Sequence, residues 1–179
     1  MNVSNRKVHK FIGLVVSVQL LLWTISGIFF SFNKIDQIRG ENYLKSVEQI
    51  TPQKISRISF EEAKELVIEK TYLKPISVEE ITEEKRGSEF RGRNLPLYKL
   101  SSLDSSDKEV NVYIDPSLGK IVAIRTFEWR LWDLMWGLHI MDWRDRDDIN
   151  NLLLKIFSIL ALISSVTGII LFFRPKSKA

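Results

Sequence analysis

Two uncharged apolar runs, one near each end of the chain, constrain everything between them. Phe11 to Phe32 (FIGLVVSVQLLLWTISGIFFSF) holds 22 residues without a charge, and Ile156 to Phe173 (IFSILALISSVTGIILFF) holds 18. Wound as helices at about 1.5 Å per residue, they reach ~33 and ~27 Å, close to the thickness of a bilayer's hydrocarbon core. Leu152–Leu154 extend the second run beyond Lys155. Transmembrane helices are therefore expected over 11–32 and 152–173. A cleaved signal peptide would have a shorter apolar stretch with small residues at its end, whereas the first run ends in Phe29, Phe30 and Phe32. A helix buried in a water-soluble core seldom runs this far without a charge.

The mean hydropathy of −0.04 averages over these greasy ends and a strongly charged middle. All 22 acids lie between Asp36 and Asp148, whereas Arg6, Lys7 and Lys10 precede the first run and Arg174, Lys176 and Lys178 follow the second. The formal charge of +4 thus belongs to the membrane flanks. A near-neutral middle gives little support to a nucleic-acid partner, and none is expected. Cations concentrate on the cytoplasmic side of membrane helices. Residues 1–10 and 174–179 are accordingly expected in the cytoplasm, and the middle on the periplasmic or extracellular side of a bacterial inner membrane. The chain has no cysteine, which excludes disulfides, thiolate catalysis and Cys-ligated metal centres.

Residues 33–55 are polar with scattered apolar positions and read as a linker or short helix leaving the membrane. Ser59 followed by Glu62 is a capping-box pattern, and Phe60, Ala63, Leu66 and Val67 then recur at helical spacing, predicting a helix from about Phe60 to Thr71. Ile76–Lys85, Pro96–Leu103 and Glu109–Ile114 alternate as strands do. Asp115-Pro116-Ser117-Leu118-Gly119 has the chemistry of a tight turn, returning into Lys120–Ile124 as the second arm of a hairpin. The expected fold class is membrane α+β: two transmembrane helices flanking one helix on a small antiparallel sheet. A Trp-rich helix over 127–145 lying at the membrane surface completes it.

The helix SFEEAKELVIEK, the strand LPLYKLSS and the hairpin VNVYIDPSLGKIVAI together resemble a PepSY domain over residues 56–126, with Leu118 where that family usually has Thr. His9-Lys10-Phe11-Ile12-Gly13, Ser26-Gly27, Leu138-His139 and Thr167-Gly168 resemble the motifs around the helices of PepSY-associated transmembrane proteins. Larger members of that group include haem-containing reductases of ferric siderophores. The resemblance therefore implies His9 and His139 as the positions that would ligate haem b. The predicted topology sets the two a membrane thickness apart, so they would not share one haem within one subunit.

Four further features bear on function. Gly13 and Ser17, Gly27 and Ser31, Ala161 and Ser165, and Ser164 and Gly168 are small residues four apart, the spacing at which membrane helices approach closely. Trp129, Trp132, Trp136 and Trp143 fall at spacings of three, four and seven, as on one face of an interfacial helix, with His139 at its edge. Gln19 stands near the middle of the first span, where an amide in hydrocarbon needs a neighbour. The carboxylates form no catalytic pair: Glu79, Glu80, Glu83 and Glu84 read as a solvated face, and Asp142–Asp148 lacks the spacing of a calcium loop. A non-enzymatic role is read ahead of a haem-dependent ferric-siderophore reductase, and haem b is the one cofactor that the resemblance brings into view. The expected partners are the lipid bilayer and other membrane subunits or further copies of the chain. The function read first is that of an accessory, assembly or regulatory subunit of a membrane or envelope complex. Haem-based electron transfer in ferric-siderophore reduction or iron uptake stands second, and modulation of a protease third.

Overall fold

The computed structural model describes residues 3–45 and 57–173. Positions 46–55 of the predicted linker, the first residue of the predicted 56–126 domain and the predicted tail 174–179 lie outside the described residues. The chain divides into two compact units, one of residues up to Phe29 together with those from Met135 onward, the other Phe30–Leu134.

The Phe30–Leu134 unit is built on a four-stranded antiparallel sheet in the order β1 (Lys74–Ile81), β2 (Leu97–Leu103), β3 (Glu109–Asp115), β4 (Lys120–Arg125). Helix α3 (Phe60–Lys70) precedes it, begun by the expected capping box: the Ser59 side chain accepts from the Glu62 amide, and Glu62 accepts from the Ser59 amide at 2.7 Å. Its apolar stripe, Ala63 and Val67, is buried against Tyr98, Leu100, Val110, Val112, Ile114 and Ile124. Alternation along β2 and β3 sends these side chains to one face and Leu97 and Tyr113 to the other. That second face is also covered, by Phe90 and Leu95 from the loop between β1 and β2.

The hairpin forms as its chemistry demands. The Asp115 carboxylate accepts from the amides of Ser117 (2.9 Å) and Leu118 (3.1 Å), and Gly119 takes a φ of +57°. Strand β1 differs from its prediction in starting at Lys74 and ending at Ile81. A register shift between Pro75 and Ser77 breaks the alternation and leaves Ile76 61% exposed. The predicted solvated face holds: Glu79 pairs with Lys99 at 2.8 Å and Glu80 with Arg57 at 2.5 Å at this sheet edge.

The described part of the predicted linker is ordered. It forms a short helix α2 (Ile35–Ile38) and a 3₁₀ turn (Glu41–Tyr43), joined through Gly40. Leu44 bridges to Thr71, and the amides of Lys45 and Tyr72 donate to Lys70 and Tyr43 carbonyls at 2.9 and 3.0 Å. A Cβ at Gly40 would stand 2.7 Å from Ile124 Cγ2, and its φ is +77°. The backbone here touches the sheet directly, which only glycine permits.

The long helices are α1 (Val3–Phe32), which belongs to the other unit up to Phe29 and whose apolar part is Lys10–Phe32, and α5 (Leu152–Phe173). Over their most apolar windows only 17% and 6% of residues are covered by the chain itself, whereas a soluble core helix would be mostly covered. Val16, Gln19 and Ser26 are buried on α1, at spacings of three and seven residues, and Ala161 is buried on α5. Helix α4 (Phe127–Ile140) ends five residues before the predicted 145. Met141 adopts a left-handed φ of +57°, and the Asp142 amide reaches back to the Gly137 carbonyl at 3.0 Å, a six-to-one closing bond. Sequence offered no stop signal, because Met occupies the position where glycine usually marks such an end.

Candidate functional site

The motif residues Ser26 and His139, 113 positions apart, meet. Ser26 Oγ lies 2.7 Å from His139 Nδ1, and Trp23 Nε1 donates to the His139 carbonyl oxygen at 2.7 Å. Ser26 Oγ also sits 2.9 Å from the Leu22 carbonyl and 3.1 Å from that of Trp23, one turn back along α1. A hydroxyl has one proton. With that proton given to the helix carbonyls, Ser26 accepts from His139, which fixes the imidazole as the Nδ1–H tautomer and leaves Nε2 as the ring's acceptor. Trp136, one turn before His139, stacks on it at 6.4 Å and 8°. Burial holds the His139 pKa below the ordinary histidine value, which favours the neutral ring.

Two side chains anchor the loop that joins α4 to α5. The Asp142 carboxylate accepts from four main-chain amides, those of Arg144, Asp145, Asp147 and Asp148, at 3.0–3.3 Å. Partial burial opposes its ionisation, but the four amides outweigh that and bring its pKa down to about 2. The carboxylate is thus occupied in folding its own loop. Among the described residues there is no cluster of three or more His, Asp or Glu that could hold a metal. Asn151 caps α5 through Oδ1 to the Leu154 amide (2.8 Å), while its Nδ2 donates to the Ile140 and Asp148 carbonyls.

Of the four tryptophans expected at the membrane interface, Trp129, Trp132 and Trp136 lie on α4. Trp129 is 8% exposed, lying under the Arg125 guanidinium at 4.2 Å from the ring centroid. Trp132 packs on Phe30 at 5.5 Å and Trp136 on His139. Trp143 lies beyond the helix end and is 58% exposed. Of the small residues, Ala161 is buried, Gly13, Gly27 and Ser164 are half-buried, and Ser17, Ser31, Ser165 and Gly168 are exposed.

His9 stands on α1 seventeen residues before Ser26, about 25 Å along the helix axis at 1.5 Å per residue. An imidazole held at Ser26 is therefore far from His9, and the two histidines do not fit the opposite sides of one haem in one chain.

A second polar cluster, found by no sequence signal, organises the Phe30–Leu134 unit. Glu89, in the covering loop, accepts from Asn111 Nδ2 (2.9 Å), the Tyr113 hydroxyl (3.1 Å) and Arg130 Nε (2.5 Å). Burial alone would raise its pKa; Arg130, Asn111 and Tyr113 reverse this and hold it below the usual carboxylate range. The Tyr113 hydroxyl moves up, through burial and then through the Glu89 charge. Beside them Arg91 pairs with Asp133, whose side chain is 2% exposed.

Two helices of spanning length and an antiparallel sheet define a membrane α+β protein. The chain matches the family model described as PepSY-associated TM region over residues 6–179, and it belongs to that family. No curated protein and no solved structure matches it.

Proposed function

We propose that the protein is a non-enzymatic accessory subunit. Its PepSY-type domain is held on the outer side of a bacterial cytoplasmic membrane by two helices with both termini inside. It works by contact with a larger membrane or envelope complex. The observation that carries this reading is the packing of α5, whose apolar window is 6% buried and whose Gly168 has nothing within 4 Å of where a Cβ would stand. Gly13 and Gly27 on α1 are equally open among the described residues. Small residues in a membrane helix favour association where a second backbone comes close. A helix from another subunit, or from a second copy, supplies that backbone.

The absence of native cysteine makes the test direct. With a single cysteine placed by Ser165→Cys, a short thiol-anchored photo-cross-linker in native membranes should yield one discrete adduct. The same probe at Ile163→Cys, on the opposite side of α5, should yield little. Gly168→Ile should abolish the adduct while leaving thermal unfolding unchanged. Recovery of only the uncross-linked monomer from both positions would rule the reading out.

The orientation of His139 by Ser26, as ligand histidines are commonly oriented, favours haem-based electron transfer as a second reading. The separation from His9 makes it require a ligand from another subunit. A purified native assembly without a reducible haem absorption band eliminates it.

A further inference from the structure

Within the Phe30–Leu134 unit, the segment following α1 lies across β4 and helps enclose a half-open cavity of about 360 Å³. Its lining includes Arg39, Arg93, Arg125, Glu41 and Trp129, over a wall of Ile121–Ile124. Gly40 makes the cavity possible, since its close approach to Ile124 sets Arg39 beside the strand that carries Arg125.

Among the described residues, the arginines lining this cavity are not matched by ion-pair partners. Arg57, Arg91 and Arg130 all have carboxylate partners in this unit. Arg39, Arg93 and Arg125 make no ion pair among the described residues. Arg125 gives its Nε and Nη1 protons to the main-chain carbonyls of Glu89 (2.9 Å) and Ile124 (3.2 Å). Burial, and next the neighbouring Arg93, push its pKa down to about 10. Among the described lining residues, three guanidinium groups stand against one carboxylate, that of Glu41, which leaves a concave, positively charged surface with an aromatic wall. Like charges gathered in a partly buried site cost stability until an anion joins them.

We propose that this cavity binds a phosphate oxyanion, borne by a phospholipid headgroup or free in solution, with Arg39 and Arg93 closing on an anion that Arg125 attracts from beneath. Guanidinium forks match phosphate oxygens two at a time, which a lysine-lined site would not do. The volume sits at the small end of ligand pockets, roughly 300–1,000 Å³, suited to a headgroup-sized guest. Arg39 follows Phe32, the last residue of the apolar helix, by seven residues. Chain geometry therefore keeps it within about 25 Å of that helix end, where phosphodiester groups are concentrated. This inference does not depend on which side of the membrane the unit occupies.

The test uses the full chain and the double variant Arg39→Gln/Arg93→Gln. Both side chains are exposed and like-charged, so their loss should not lower the unliganded melting temperature. In one arm inorganic phosphate is titrated into protein in a neutral detergent and binding is read from tryptophan fluorescence. In the other, thermal unfolding is compared in nanodiscs of zwitterionic lipid with and without an anionic phosphodiester lipid. Saturable binding or stabilisation in either arm, weakened roughly tenfold or more in the double variant and more salt-sensitive in the wild type, supports the site. A response to free phosphate identifies a soluble ligand, and a response confined to nanodiscs identifies a headgroup. No arginine-dependent response in either arm overturns the proposal.

Discussion

Replacing Asp133 by alanine should lower the unfolding free energy of the Phe30–Leu134 unit by about 3 kcal/mol, although alanine is the better helix former. Asp133 is buried at 1% exposure on α4 and pairs with Arg91, whose side chain remains 21% accessible. Removing the carboxylate takes the anionic partner from a guanidinium that also donates to the Ser88 carbonyl at 3.2 Å and lies over Trp129, 5.6 Å from its centroid. Arg91 can turn partly to solvent, which keeps the loss at the lower end of the ~3–5 kcal/mol range for broken buried pairs. The double replacement Arg91→Met/Asp133→Leu removes both charges and should recover most of the loss. Hydrogen exchange of the β2 and β3 amides in the full chain measures the unit's own opening. Equal protection in wild type and Asp133→Ala would show that the pair contributes nothing to this fold.

Gly40→Val should be at least as costly, at about 3 kcal/mol, because two penalties coincide. The position demands a left-handed φ, worth ~1–3 kcal/mol against a β-branched residue, and a new Cβ would collide with Ile124, adding a similar overpacking cost. Asparagine tolerates the left-handed region but still carries a Cβ. Gly40→Asn should therefore escape most of the left-handed penalty but not the collision, losing about half as much as Gly40→Val, read by the same exchange measurement at β4. An asparagine variant indistinguishable from wild type would mean the segment shifts freely and the close approach is not required.

These two sites also mark what could and could not be read from sequence. The spanning helices were legible because an uncharged run of bilayer length has few alternatives. Helix α3 was legible through Ser59 and Glu62, and the β3–β4 hairpin through Asp115 and Gly119, since caps and turns are written by residues a few positions apart. The sheet's second layer was not legible. Phe90, Leu95 and Glu89 occupy a polar loop whose partners Asn111, Tyr113 and Arg130 lie 22 to 41 residues away. The extension of α4 to 145 followed tryptophan spacing, and Met141 overrode it by adopting a conformation usually left to glycine. Ser26 and His139 were each visible as parts of family-like motifs. Their mutual hydrogen bond was not, because nothing local in either motif names its partner. Gly40 carried a weak signal, a lone glycine between two short amphipathic stretches, whose meaning appears only once Ile124 stands against it.

In the proposed arrangement, two lipid-spanning helices hold the sheet domain on the outer side of the membrane with both tails inside. Single-cysteine labelling in intact cells tests it most directly, because the native chain offers no competing thiol. Ser117→Cys, on the exposed hairpin turn, should react with a membrane-impermeant maleimide in intact cells, whereas Ser177→Cys in the basic tail should react only after permeabilisation. Labelling of Ser177→Cys in intact cells with Ser117→Cys protected would reverse the orientation and contradict the account.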